Sequence, residues 1–132
     1  MINFFSKYKI IFYFCNLVLI LLYLFPGSLL GCFLYDECKI QPQITPDFFI
    51  ISTNHLYAFF VLSIIGLFTY KKFNHLNFLI IYLVFLSIVL EIMHYIIPER
   101  GFELPDLFGN LIGVLIPIII NYFINKYEIF KK

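Results

Sequence analysis

The residues that could do chemistry are gathered in one stretch, 91–113, which reads Glu91-Ile92-Met93-His94-Tyr95-Ile96-Ile97-Pro98-Glu99-Arg100-Gly101-Phe102-Glu103-Leu104-Pro105-Asp106-Leu107-Phe108-Gly109-Asn110-Leu111-Ile112-Gly113. Glu91 and His94 stand three apart, and Asp106, Asn110 and Gly113 stand at i, i+4 and i+7. On helices each set lies along one face. A carboxylate in this stretch or an imidazole outside it could serve as general base, with Glu91 and His55 as the candidates. Arg100 offers a planar donor fork for a carboxylate or phosphate. A plainer reading has Arg100 pair with Glu91, Glu103 or Asp106 and fix a helix hairpin.

The elements that must carry these groups follow from composition. Of 132 residues 62% are apolar and 13% charged, with a mean hydropathy of +0.94. A soluble domain is about half apolar and a quarter charged. Four apolar runs, 10–30, 48–70, 76–97 and 105–124, have 21, 23, 22 and 20 residues. Each reaches about 30 Å as a helix, the thickness of a bilayer core. The expected fold is all-α: one domain over 1–132, a bundle of four transmembrane helices.

Charge orients the bundle. Lys7, Lys9, Lys71, Lys72, Lys126, Lys131 and Lys132 flank one side of the runs, seven of the nine basic residues. The other side holds Asp36, Glu37, Asp47, Glu99, Glu103 and Asp106 against Lys39 and Arg100. Basic residues in short loops stay cytoplasmic, which predicts both termini inside and the first and third loops outside. The lysines form no groove-sized patch, so nucleic acid is excluded as a partner, whereas membrane lipids are expected. Ser28-Leu29-Leu30-Gly31-Cys32 after the first run also imitates a lipoprotein cleavage site. That run is longer than a signal core, and retention of the first span is the reading adopted.

With these boundaries Glu91 lies roughly 10 Å and Asn110 roughly 8 Å inside the outer edge. His55, seven residues into the second run, reaches a similar depth. An ionisable group at that depth has to be paired, hydrated or protonated. Pro98 ends the third run, and Pro105 suits the first turn of the fourth helix, whose positive end favours Glu103 or Asp106. Gly109 and Gly113 form a small-xxx-small face for close helix approach. Cys15 reads as a small apolar residue, while Cys32 and Cys38 share the first outer loop, where a disulfide is open to them. No Cys-x-x-Cys or His-rich spacing indicates a metal centre, and no cofactor motif is present. The tyrosines toward span ends, Tyr23 among them, read as interfacial anchors.

In this stretch the chain resembles the VanZ-like membrane proteins, a family named for a teicoplanin-resistance protein. Glu91, Pro98, Arg100, Phe102, Asp106, Asn110 and Gly113 fall on that family's pattern, and Pro26-Gly27-Ser28 and His55-Leu56-Tyr57-Ala58-Phe59 resemble its upstream segments. The chain departs from it at His94, where Gln is usual, at Ser52-Thr53-Asn54, which replaces a charged pair, and at Pro117, which replaces Gly. The resemblance implies a small multi-pass protein of the bacterial inner membrane, with some relatives tied to glycopeptide resistance and others to polysaccharide genes.

Three function classes stay open at this level. The first is an envelope factor whose outward polar site, built from His55, Glu91, His94, Arg100, Glu103, Asp106 and Asn110, recognises an anionic or glycan-bearing component such as a lipid-linked glycan. The second is an intramembrane enzyme acting on lipid-linked headgroups. The third is an ion- or proton-coupled carrier titrating at Glu91, against which the lack of an inverted repeat argues.

Overall fold

The computed structural model describes residues 4–70 and 75–130. Among these every regular element is a helix: α1 (Phe4–Leu24), α2 (Leu29–Tyr35), α3 (Thr53–Tyr70), α4 (Leu76–Met93) and α5 (Leu104–Phe130). Three helices are long and apolar enough to cross a membrane, and α1 with α2 makes a fourth candidate if the bent pair counts as one span. Their outward faces carry Phe14, Phe68, Phe78, Ile81, Phe85 and Phe123, all more than half exposed. Rings so exposed along whole helix faces match a lipid solvent, and the chain has the make-up of a multi-pass membrane protein. Lys71, Lys72, Lys131 and Lys132, which bear much of the orientation argument, lie outside the described residues.

The helices depart from the expected runs where local chemistry intervenes. The run expected over 10–30 is broken after Leu24, and α2 leaves at 85° to α1. Pro26 has no N–H to continue the ladder, Gly27 takes φ +73°, and Ser28 restarts the chain by accepting from the Gly31 N–H at 3.0 Å. The run expected from 48 begins instead at Thr53, because Phe48 and Ile51 bond each other's backbone across a tight turn. The helix of the third run, α4, stops at Met93 rather than 97, five residues before Pro98, with His94, Tyr95 and Ile96 in turns. The fourth runs to Phe130 rather than 124.

The loop after α2 is tied down. The Ser28 N–H donates to the Cys38 carbonyl at 2.7 Å, Cys32 and Cys38 are disulfide-bonded, and a side chain at Gly31 would strike the Ile40 carbonyl. Further on, Asn54 accepts from the Ile44 N–H and donates to the Pro42 carbonyl, and the Thr53 N–H donates to Asp47. The segment therefore folds back over the start of α3.

Apolar burial drives helices together only weakly in lipid, so close packing needs small residues. A Cβ on Gly109 would meet the Ser52 carbonyl and the Leu56 N, and one on Gly113 the Leu56 carbonyl and the Phe60 N. The two glycines thereby set α5 directly against the backbone of α3, which also touches α1 and α4. A core of Phe59, Leu62, Leu83 and Val114, all at most 2% exposed, fills the middle. The ends of α1 and α4 meet the starts of α3 and α5 at one end of this packing, and there the polar residues collect.

Candidate functional site

Each of four helices sends one buried polar side chain into the same layer. Tyr23 comes from the last turn of α1, His55 from the first turn of α3, Glu91 from the last turn of α4 and Asn110 from the second turn of α5. Glu91 and Asn110 are wholly buried, as is His94 just past the end of α4.

Partner geometry fixes which atom faces which. Asn110 donates its amide to the Ser87 carbonyl at 3.1 Å, so its Oδ1 faces the layer and accepts from the Tyr23 hydroxyl. His55 Nδ1 lies 3.0 Å from the Tyr23 oxygen and 3.2 Å from Asn110 Oδ1. With the tyrosine proton used toward Asn110, both atoms can only accept, and Nδ1 carries the ring hydrogen. His55 Nε2 then faces Asp106 Oδ2 at 3.4 Å. Ser52 stands beside the same carboxylate.

A second imidazole repeats the pattern. His94 Nε2 lies 3.1 Å from the Tyr23 backbone carbonyl and donates to it, which turns Nδ1 toward Glu91 Oε2 at 3.3 Å. The His94 ring also stacks on that of Tyr23 at 5.7 Å. Glu91 Oε1 accepts the Glu103 N–H at 3.0 Å, one of the donors that open α5, while Oε2 is buried without a hydrogen bond. One oxygen each of Glu91 and Asp106 and one nitrogen of His55 all lie within 4.8 Å of one another, close enough to hold a metal ion.

Beside this layer runs an open groove of about 550 Å³ between α1, α2 and α3. Val18, Leu19, Leu22 and Val61 make its walls apolar, and Tyr23, Gln41, Asn54, His55 and Arg100 line its polar end.

Arg100 corrects the hairpin expectation. Among the described residues it makes no ion pair with Glu91, Glu103 or Asp106; its Nη2 donates to the Leu22 carbonyl at 3.0 Å, its Nε to the Phe25 carbonyl at 3.4 Å and its Nη1 to Gln41 Oε1 at 3.4 Å. The reason is the break after α1, which leaves unpartnered carbonyls at the negative end of a helix dipole. Burial pulls the guanidinium pKa below its ordinary value, yet arginine stays charged there. Glu103 also stands apart: it contributes its backbone N–H, and its side chain is exposed.

His55, Glu91, His94, Asp106 and Asn110 are thus brought together, with Arg100 apart from them on the carbonyls at the end of α1. Pro98 lies in the turn after α4, and the Pro105 carbonyl accepts the Ser52 N–H at 3.0 Å, pinning the start of α5 to that of α3. Tyr23 and Ser52 were not anticipated. A tyrosine near a span end has a sufficient explanation as an anchor, and only its contact with Asn110, 87 positions away, shows otherwise. No family model, curated protein or solved structure matches this chain.

Proposed function

We propose that the protein is a VanZ-like envelope protein of the bacterial inner membrane, with four spans and both termini cytoplasmic, that binds a lipid-linked component carrying an anionic or glycan headgroup. The observation that carries this reading is the groove, apolar along most of its length and ending at Arg100, His55, Gln41 and Asn54. An acyl or isoprenoid chain suits the first part. A phosphate or sugar suits the second, where the guanidinium of Arg100, held on the Leu22 and Phe25 carbonyls, supplies positive charge and Gln41 and Asn54 make the lining polar. Lysine placement puts this end of the molecule outside, at the outer headgroup layer.

One observation favours a second reading, an intramembrane enzyme acting on the same class of lipid. His55 lines the groove and sets Nε2 against Asp106, the arrangement of an oriented acid–base pair. The test uses a deletion host complemented with wild type or with Glu91→Gln, His55→Ala and Arg100→Ala. Variants that insert and fold should change glycopeptide susceptibility or envelope glycan composition. Unchanged phenotypes in all three would remove both readings and leave a purely structural polar layer.

A further inference from the structure

We propose that His55, Glu91 and Asp106 hold one divalent transition-metal ion, with Zn²⁺ the best-fitting ion. The inference does not rest on lipid binding. It rests on where the ring hydrogens of two buried histidines must be.

His55 Nδ1–H is committed to Tyr23 and Asn110, and His94 Nε2–H to the Tyr23 carbonyl. In the neutral rings the remaining nitrogens present lone pairs. Those lone pairs face carboxylate oxygens, His55 Nε2 against Asp106 at 3.4 Å and His94 Nδ1 against Glu91 at 3.3 Å. Neither pair of acceptors has a hydrogen between its atoms, and Glu91 Oε2 is fully buried without a hydrogen bond, the His55 Nδ1–H group lying 3.9 Å away, beyond hydrogen-bond reach. Such a grouping is repulsive unless positive charge sits inside it.

A divalent cation supplies that charge in one particle. With neutral His55 and two ionised carboxylates the site becomes electrically neutral, which removes the cost of two anions at this depth. The separation of His55 Nε2 from Asp106 Oδ2 is that of two ligands on a tetrahedral ion with bonds of about 2.0–2.2 Å. One nitrogen of His55 and one oxygen each of Glu91 and Asp106 lie within 4.8 Å of one another, and because His55 approaches Glu91 Oε2 through Nδ1 at 3.9 Å, the Glu91 carboxylate must swing toward Nε2 to close the set. The donors, one imidazole and two carboxylates, suit Zn²⁺ better than Mg²⁺, which is seldom held by imidazole. The surroundings are those of a metal-bound histidine: Nδ1–H is fixed by a carbonyl-type acceptor, and the amide that provides it is itself anchored on Ser87. His94 Nδ1 is the nearest further donor. Thiolates take no part, because Cys32 and Cys38 are bonded to each other and Cys15 lies outside the donor set.

The protein is purified in nanodiscs with a tag free of histidine, stripped with a soluble chelator, and titrated with Zn²⁺ alone. One equivalent per chain is expected, and Co²⁺ in its place should give the visible absorption of a four- or five-coordinate site without a thiolate charge-transfer band. His55→Ala, Glu91→Gln and Asp106→Asn should each weaken binding at least tenfold, while Glu103→Gln leaves it unchanged. Where a variant fails to fold, the wild-type stoichiometry and Co²⁺ spectrum decide alone. Less than a tenth of an equivalent bound, an octahedral Co²⁺ spectrum, or equal affinity in folded Asp106→Asn would overturn the proposal. Wild type that retains lipid but binds no Zn²⁺ would end the metal site and leave the groove reading intact.

Discussion

Adding one methyl group at three glycines separates the role of close backbone approach from that of helix propensity. Gly66, Gly109 and Gly113 all lie inside helices, where alanine is favoured by about 1 kcal/mol. The atoms nearest a Cβ at Gly66 would be the ends of the Phe12 and Leu79 side chains, at 3.0–3.3 Å, and these can turn aside. At Gly109 and Gly113 the same atom meets backbone of α3, which cannot move without carrying its helix. Overpacking of that kind costs about 1–3 kcal/mol and here must also outweigh the propensity gain. Thermal unfolding in detergent should find Gly66→Ala near or above wild type, and Gly109→Ala and Gly113→Ala lower by several degrees. Separating α5 from α3 also pulls Asp106 and Asn110 from His55, so both unstable variants should lose site binding. Equal stability of all three alanine variants would refute the close-approach argument.

Tyr23→Phe removes the hydroxyl between His55 and Asn110 and should cost about 1–3 kcal/mol in unfolding assays, with Asn110→Leu at least as damaging because Ser87, His55 and Tyr23 all lose a partner. Arg100→Lys keeps the charge but not the fork on the Leu22 and Phe25 carbonyls; a loss of about 1–3 kcal/mol is expected, and wild-type stability would show that the α1 end needs no cap. Reducing the Cys32–Cys38 bond should cost about 2 kcal/mol for so short a loop, read as a lower melting temperature. On intact cells an impermeant maleimide should label those two thiols only after reduction, whereas a cysteine at position 71 that labels from outside would reverse the orientation.

Much of the polar layer was legible because helical spacing is local. Glu91 with His94 and Asp106 with Asn110 share faces by periodicity alone, and counting residues in from Pro98, from Pro105 and from the start of the second run put Glu91, Asn110 and His55 at similar depths. The partner of Arg100 was not legible: a carboxylate is the default for a guanidinium, and the carbonyls it takes instead exist only because Pro26 and Gly27 break the first run. Apolar composition read that run as one span, since Leu29 and Leu30 keep it apolar beyond the break. The grouping of His55, Glu91 and Asp106 has no signal in the sequence for a related reason. Metal motifs are recognised by spacing along one element, and these three come from three helices. Tyr23 needed a contact across 87 positions, which no local pattern carries.

Native mass spectrometry of the protein released from its own membrane tests the central claim, that the groove beside the polar layer holds a lipid-linked anionic or glycan headgroup. Ala58 lines the groove on α3, and Ala58→Trp fills it while leaving Glu91, His94, Asp106 and Asn110 in place. The account predicts about one acyl- or isoprenoid-linked species with a phosphate or sugar headgroup per wild-type chain, lost in folded Ala58→Trp. Wild type that carries no such species, or a folded Ala58→Trp variant that retains it equally, would contradict the account.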